Sequence, residues 1–208
     1  MKFVKSYFTA AIIFLSIAGK AQNFDIDLLK SINQNETAFK NDFSKTISSS
    51  VTVVNIAAPL TLLTVGLARH DKKLQADAAY MAGGYILSTI ITQGSKRIIQ
   101  RERPFVKYPF IVKRGEGGGY SFPSGHTSAA FYSAASLSLL YPKWYVIAPS
   151  FMWAASVGYA RMYEGVHYPT DVLAGALVGA GSAWVTYKFQ QWMDKKAAAK
   201  KVAKPVAL

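Results

Sequence analysis

Five stretches of the chain are almost entirely apolar, and short polar or charged segments separate them. These stretches are residues 51–68, 78–92, 127–141, 144–160 and 172–187. Each is near the length of roughly 17–25 residues that an α-helix needs to cross a bilayer, several at the short end. All of them contain Gly, Ala or Ser, and Gly175, Gly179 and Ala183 recur at a spacing that lets neighbouring helices approach closely. The pattern predicts an all-α, membrane-embedded bundle of about five or six helices.

The N-terminal residues follow a different pattern. Lys2 and Lys5 precede an apolar stretch, and the small residues Gly19 and Ala21 follow it. This arrangement predicts a signal peptide cleaved after Ala21, with an uncleaved first membrane helix as the alternative. Residues 22–50 are polar with spaced apolar positions, which predicts one or two amphipathic helices on the membrane surface or against the domain. The predicted division is therefore a leader or first helix (1–21), a periplasmic amphipathic segment (22–50), a core domain (51–188) and a basic cytoplasmic tail (189–208).

Composition supports the membrane interpretation without proving it. The chain is 51% hydrophobic and 17% charged, against about 25% charged in a typical soluble domain. A mean hydropathy of +0.15 keeps a buried helical bundle of a soluble protein as an alternative. The formal net charge of +13 would suggest nucleic acid in a soluble protein, but the cations flank apolar stretches, so we expect no nucleic-acid partner. The absence of Cys excludes disulfides, thiolate zinc sites and a Cys nucleophile.

The placement of the cations predicts an orientation. If the first apolar segment leads outward, one side of the membrane receives Arg69, Lys72, Lys73, Lys143 and the lysine-rich tail. The positive-inside rule makes that side cytoplasmic. Residues 93–126 and 161–171 then face the periplasm, on the outer side of the bacterial inner membrane. The loop at about 95–125 is itself basic, which requires a functional reason.

The first of three polar clusters is KRIIQRERP, residues 96–104. Lys96 and Arg103 are seven residues apart and so fall on the same side of two helical turns. Two cations aimed at one point can hold an oxyanion such as phosphate, and Arg can bind it with two hydrogen bonds. The alternative is an ordinary solvated basic helix end.

The second cluster is PSGH, residues 123–126, which follows the GEGGG stretch at 115–119 that we interpret as a flexible linker. A tight turn at Ser124 and Gly125 would open a helix whose first N–H groups favour an anion. His126 could then donate a proton to a leaving oxygen. The alternative is an ordinary helix cap with a surface imidazole.

The third cluster is ARMYEGVHYPTD, residues 160–171. Arg161 supplies another cation, and His167 and Asp171 are four residues apart. A carboxylate on one imidazole nitrogen fixes the tautomer and makes the other nitrogen a better nucleophile. The alternative is a structural His–Asp pair. We interpret the remaining histidine, His70, as an ordinary loop residue.

Taken in order, the three clusters resemble the signature of the type 2 phosphatidic acid phosphatase (PAP2) family. That family includes bacterial class A acid phosphatases and shares a core with the vanadium haloperoxidases. The first two parts match fully, whereas Ala160 stands where the family usually has Ser, which puts fine substrate binding in doubt rather than the reaction. The resemblance covers roughly residues 50–188.

The resemblance implies a phosphatase that needs no metal or other cofactor and forms a phosphohistidine intermediate. His167 would be the nucleophile, Asp171 would orient it, and His126 would be the general acid and then base. The phosphate would be bound by Lys96, Arg103, Ser124, Gly125 and Arg161. The expected substrate is a phosphorylated lipid in the membrane, which the sequence does not identify further, and the oligomeric state cannot be read. The alternatives are a soluble periplasmic acid phosphatase, a vanadium haloperoxidase and a non-catalytic phosphate-binding membrane protein.

Overall fold

The structure, a computed structural model, describes residues 24–202 and consists of helices joined by short connections. A helical segment at residues 24–33 comes first. It is followed by α1 (Ala38–Ala68), α2 (Lys72–Ile99), α3 (Pro104–Lys107), α4 (Gly125–Leu140), α5 (Trp144–Tyr163) and α6 (Pro169–Val202). Each of the five apolar stretches falls almost entirely within one long helix, and the described residues contain no strand. The predicted all-α bundle of five or six helices is confirmed.

Local sequence signals explain where the helices begin. Thr37 caps α1 by accepting a hydrogen bond from the Lys40 N–H at 3.2 Å, and Asp71 caps α2 by accepting from the N–H groups of the first turn. Helices α3 and α6 begin at prolines, whose fixed φ suits the first helical position. His70 lies in the turn between α1 and α2 with a φ of 54°, at the end of α2 remote from the three clusters.

The core of the bundle is the close packing of α4 against α6. A side chain at Gly175 would collide with the Ser124 carbonyl, and one at Gly179 would collide with the backbone of Ser128 and Tyr132. Ala183, one turn further on, is fully buried beside Tyr132. The small-residue spacing seen in the sequence is therefore the face on which α6 meets α4.

The interior of the bundle holds paired polar groups among its apolar residues, and large apolar side chains cover much of the outer surface. In the interior, the Ser133 hydroxyl donates to Asn55 Oδ1 at 2.9 Å, and the Ser88 and Ser128 hydroxyls lie 2.9 Å apart. Large apolar side chains are exposed along α1, α2, α5 and α6, among them Ile56, Leu60, Ile86, Ile90, Met152, Leu177 and Val185. Such a distribution suits a hydrocarbon surrounding, where apolar groups can face outward and polar groups must pair inside.

One helix of the described residues, α1, is both long and apolar enough to cross a membrane on length and composition alone. Only 17% of its most apolar window is buried, so its apolar surface faces outward rather than into a core. Helix α4 has only 16 residues, too few to meet the same length criterion. Its side chains Ser128, Ser133 and Ser136 are buried in the bundle.

Two of the predicted segment boundaries, at positions 50 and 188, fall inside long helices. The segment at 24–33 packs against the domain, because Leu29 is fully buried and contacts Ile111 and Tyr168. Helix α1 runs continuously across position 50, and α6 runs across position 188. The leader at 1–21, with its cleavage site, and the last six residues of the tail lie outside the described residues. The division of the chain into domains stays a prediction.

Candidate active site

The three sequence clusters meet at one end of the bundle. Lys96 lies in the last turn of α2, and Arg103 immediately precedes α3. His126 lies in the first turn of α4, and Arg161 lies in the last turn of α5. His167 and Asp171 flank the start of α6. Helices that alternate in direction thus bring residues from across 75 positions of sequence to one place.

His167 is held between a cation and a carboxylate. Its Nε2 lies 3.3 Å from Arg103 Nη1, and its Nδ1 lies 3.5 Å from Asp171 Oδ2. Because a guanidinium can only donate, Nε2 must accept, and the proton of a neutral ring is on Nδ1. Burial first, and then the charges of Arg103 and Arg161, lower the pKa of His167 to about 3 against the opposing effect of Asp171. The ring is therefore neutral at pH 7, with the Nε2 lone pair facing Arg103.

Asp171 is fully buried and ionised. Burial raises its pKa, but the interaction with His167 and the charge of Arg101 outweigh burial and hold it below its ordinary value. Arg101 Nη1 donates to Oδ1 at 2.7 Å, and the Tyr168 N–H donates to Oδ2 at 3.0 Å. The carboxylate is thus held with one oxygen toward the imidazole.

The three predicted phosphate-binding cations converge on backbone carbonyls of residues 116–121. Lys96 Nζ donates to Tyr120 O at 2.7 Å, Arg103 Nη2 donates to Gly118 O at 2.8 Å, and Arg161 Nη2 donates to Glu116 O at 2.5 Å. The GEGGG stretch, which we interpreted as a flexible linker, is therefore part of the site. Burial, and next the charge of Arg103, lowers the pKa of Lys96 to about 8.

Ser124 has two structural contacts at the start of α4. The Ser124 hydroxyl accepts from the Thr127 hydroxyl at 2.9 Å and from the Thr127 N–H, and the Ser124 N–H donates to the Asp171 carbonyl at 2.9 Å. Ser124 therefore caps α4 through its hydroxyl oxygen and ties α4 to α6 through its N–H. Its role in phosphate binding stays a prediction. The N–H groups of Gly125 and His126 remain as the donors at this helix start.

His126 stands at the boundary between the cations and a cavity. Its ring is half-buried. Burial first, and then the charges of Arg161, Arg103 and Lys96, lower its pKa to about 4. An anion on those three cations would oppose their effect and raise this pKa. The cavity, about 220 Å³, lies between α1, α2 and α4 and is lined mainly by hydroxyl-bearing side chains. A leaving group could occupy it within reach of His126.

Three residues in contact with the site were missed by sequence reasoning. Arg101 binds Asp171, and Asp25 in turn binds Arg101 through Oδ2 at 2.7 Å. Glu164 is buried and pairs with Arg161, and its other oxygen accepts from the Ser48 hydroxyl at 2.9 Å. Arg101 could have been noticed, because it lies inside the first cluster. Asp25 carries no sequence signal, because its partner is 76 positions away.

Ala160, the residue at which the chain departs from the family signature, is fully buried. Its carbonyl accepts from the Glu164 N–H at 2.8 Å. The backbone that carries Arg161 is therefore regular helix at this position. The effect of Ala160 on substrate binding stays an open prediction.

Comparison with known proteins identifies the family. The PAP2 superfamily matches residues 77–195, more than half of the chain, and the chain belongs to this superfamily. The undecaprenyl-diphosphatase of Sulfolobus acidocaldarius is 29% identical over 178 residues, covering 84% of this chain and 82% of the relative. The lipid A 4'-phosphatase of Bacteroides thetaiotaomicron is 36% identical over 94 residues, 45% of this chain and 42% of the relative; this match spans less than half of that protein's length.

Two solved structures share the fold. LpxE from Aquifex aeolicus superposes with a TM-score of 0.66 at 25% identity, over 79% of this chain and 95% of the other. A transmembrane PAP2-type phosphatidylglycerolphosphate phosphatase from Bacillus subtilis superposes with a TM-score of 0.67 at 22% identity, over 86% and 93%. The expectations of a PAP2-like transmembrane fold and of a PAP2-type phosphatase are confirmed.

Proposed function

We propose that the protein is a metal-independent phosphatase that removes phosphate from a membrane lipid at the periplasmic face, through a phosphohistidine intermediate. The substrate would be a phosphate monoester or a diphosphate. The observation that carries this proposal is His167, a buried neutral imidazole with its Nε2 lone pair facing Arg103 and its Nδ1 facing Asp171. Simple anion binding would need the cations but neither a nucleophile nor an orienting carboxylate.

In the first proposed step, Nε2 of His167 attacks phosphorus and the bond to the leaving oxygen breaks. Lys96, Arg103 and Arg161 exchange their carbonyl partners for the non-bridging oxygens and stabilise the charge in transfer. The N–H groups of Gly125 and His126 add donors at the start of α4. His126, with its pKa raised by the bound anion, gives its proton to the leaving oxygen.

In the second step, His126 takes a proton from water as the water attacks phosphorus. The bond between phosphorus and Nε2 breaks, and inorganic phosphate leaves. Asp171 stabilises the positive charge that the phosphorylated ring carries between the two steps. The three side-chain cations supply the electrostatic stabilisation, so we expect no metal to be required.

The distribution of charge supports a periplasmic orientation. The turn between α1 and α2, the turn between α4 and α5, and the lysine-rich end of α6 lie at the other end of the bundle, where Lys72, Pro142 and Asp194 line one cavity. At the site end, Arg101, Arg103 and Arg161 are committed to buried contacts. The basicity of this loop region therefore has a functional reason and does not count against the positive-inside rule.

The lipid part of the proposal rests on the exposed apolar sides of the bundle, which end near the site. A substrate with its tail in the bilayer and its phosphate in the headgroup layer would present the phosphate at the level of His167. We expect the cavity beside His126 to receive the group that bears the leaving oxygen. Its hydroxyl lining suits a polar headgroup.

The test is phosphate release by detergent-solubilised protein in EDTA, with phosphatidic acid, undecaprenyl pyrophosphate and p-nitrophenyl phosphate compared, and with His167→Ala as the inactive control. We expect turnover of at least one lipid well above that of the small ester, and loss of turnover in the variant. Preference for the small ester by protein soluble without detergent would favour a periplasmic acid phosphatase. No turnover would contradict the proposal, and bromide oxidation with added vanadate would then test the haloperoxidase alternative.

A further inference from the structure

The buried carboxylate Asp171 belongs to a network that reaches outside the family signature. Its Oδ1 accepts from Arg101 Nη1 at 2.7 Å, and Arg101 Nη2 donates to Asp25 Oδ2 at 2.7 Å. Asp25 is 2% exposed and lies in the helical segment at 24–33, well before the region that the PAP2 superfamily matches, residues 77–195. One guanidinium thus bridges two buried carboxylates from distant parts of the chain.

Arg101 has little freedom in this position. Its Nη1 also donates to the Thr170 hydroxyl at 2.7 Å, and the centre of its guanidinium lies 3.7 Å from the centroid of the Tyr168 ring. A stacked guanidinium that forks to two carboxylates is a geometry that Arg can adopt and Lys cannot. The orientation of Arg101 therefore fixes the direction from which Asp171 is held.

Asp25 holds the other end of the network and also the start of α6. Its Oδ1 accepts from the Thr170 N–H at 2.9 Å, and its Oδ2 accepts from the Thr170 hydroxyl at 2.7 Å. Thr170 is in the first turn of α6, next to Asp171. Asp25 thus caps α6 from a remote segment and orders the turn that carries the catalytic carboxylate.

The charges of the network explain why two carboxylates share one arginine. Arg101 with Asp171 alone would be neutral, whereas Asp25, Arg101 and Asp171 together carry one net negative charge. That charge faces His167, which becomes positive when it is phosphorylated. The positive charge on phosphorylated His167 needs a negative partner in the low-dielectric interior. The network holds Asp171 ionised and beside the ring, so that it can be that partner.

We propose that Arg101 and Asp25 are positioning residues for the reaction, acting on His167 through Asp171. The proposal rests on the proposed phosphatase function, because it assigns these residues to that chemistry. Neither residue contacts the phosphate-binding cations in the described part of the chain. Their loss should therefore lower kcat while leaving KM nearly unchanged.

The test compares kcat, KM and pH dependence for Arg101→Ala, Arg101→Lys and Asp25→Asn in the full-length, detergent-solubilised protein, with p-nitrophenyl phosphate and phosphatidic acid as substrates. Arg97→Ala is the matched control, because Arg97 is exposed in the last turn of α2, four residues before Arg101. We expect Arg101→Ala to lower kcat by about 10- to 100-fold, the usual range for a residue that orients a functional histidine through its partner. Arg101→Lys should be intermediate.

The pH dependence separates positioning from a merely structural role. The charged and titratable groups around Asp171 are Arg101, with Asp25 behind it, His167, Tyr168 and the more distant cations Lys96 and Arg103. Removal of Arg101 takes away a cation that lowers the pKa of Asp171, so that pKa rises. The acidic limb of kcat should then move to higher pH in Arg101→Ala and stay in place in Arg97→Ala. A structural role would lower thermal stability without moving the limb.

A double-mutant cycle tests the link between the two residues. If Asp25 acts partly through Arg101, the fold-loss of kcat in the double variant Asp25→Asn, Arg101→Ala should be smaller than the product of the two single fold-losses. The loss beyond that of Arg101→Ala reflects the direct contact of Asp25 with Thr170. Additive losses would overturn the link. A kcat and acidic limb equal to those of Arg97→Ala would overturn the positioning role. If Arg101→Ala does not fold, Arg101→Lys and Asp25→Asn decide the same question.

A readout without turnover keeps this inference distinct from the proposed function. The chain has three histidines, so ¹⁵N imidazole spectra can be assigned with His167→Ala and His126→Ala. We expect His167 to be the Nδ1–H tautomer in both the native chain and Arg101→Ala, because Arg103 still donates to Nε2. The Nδ1 chemical shift, which reports the contact with Asp171, should move in Arg101→Ala. Wild-type protein without phosphatase activity would contradict the proposed function alone. An unchanged Nδ1 chemical shift of His167 in the variant would contradict the positioning role.

Discussion

At the scale of single residues, the two site histidines should differ in how much turnover is lost when each is replaced by Ala. Substitution of His167 removes the attacking atom, so His167→Ala should abolish turnover of every substrate. His126→Ala removes acid–base help, which is worth about 10²- to 10⁴-fold. The His126 loss should be smaller for p-nitrophenyl phosphate, because p-nitrophenolate leaves without a proton. Steady-state rates with this ester and with a lipid phosphate check the difference.

The intermediate provides the matching control. Acid-labile, alkali-stable ³²P labelling is expected in the wild type and in His126→Ala, where hydrolysis of the intermediate is slow. No label should form in His167→Ala, whereas His70→Ala, at the other end of α2, should behave as wild type. A full yield of labelled protein from His167→Ala would mean that another residue is the nucleophile.

Lys96 should set the alkaline limit of activity. Only a protonated lysine attracts phosphate, and burial lowers the pKa of Lys96 to about 8. The charge is therefore present below about pH 8 and lost above it. With p-nitrophenyl phosphate, whose leaving group needs no proton from His126, kcat/KM should fall as the pH rises through that value. Lys96→Arg keeps its charge at all accessible pH values and should move the alkaline limb upward. Lys107→Arg, an exposed control, should not, and an unmoved limb in Lys96→Arg would rule out this assignment.

At the scale of helices, the contact between α4 and α6 determines how accurately the site is assembled, because α4 carries His126 and α6 carries Asp171. Gly179 and Gly181 on α6 form a matched pair. A Cβ at Gly179 would collide with the α4 backbone, whereas a Cβ at Gly181 would meet nothing within 4 Å. Gly179→Ala should therefore lower the free energy of unfolding by about 1–3 kcal/mol. Gly181→Ala should be neutral or stabilising by up to about 1 kcal/mol.

Thermal unfolding in detergent, followed by the fluorescence of the four Trp residues, measures this pair. Activity should follow stability, since a displaced α4 moves His126 away from the cations. Equal unfolding midpoints for the two variants would mean that α4 and α6 do not meet at Gly179.

At the scale of the whole molecule, the proposed orientation can be tested because the chain has no Cys. Lys113→Cys places a thiol at the site end, and Lys143→Cys places one in the turn between α4 and α5; both positions are exposed. A membrane-impermeant maleimide added to intact spheroplasts should label the first and not the second. Both should react after permeabilisation. The reverse pattern would place the site in the cytoplasm, and labelling of both without permeabilisation would contradict the membrane-spanning proposal.

The elements and the chemistry of the site could be read from local patterns. The five apolar stretches correspond to the long helices, because the length and spacing of apolar residues are local properties. Asp71 and Pro169 mark the helix starts for the same reason. The motif order brought Lys96, His126 and His167 into one hypothesis, because each cluster carries its chemistry within a few consecutive residues.

Other features depended on contacts between distant segments. Ser124 was expected to bind phosphate, and its N–H donates a hydrogen bond to the Asp171 carbonyl, 47 positions later. The glycine-rich stretch, expected to be a passive linker, supplies the carbonyl partners of Arg103 and Arg161. Asp25 reaches the site through Arg101, 76 positions away. The sequence by itself determined the helices and the reactive groups, while only the tertiary structure decided how those groups are held. The physical reason is that a polar side chain finds its partner by proximity in space, which spacing along the chain does not encode.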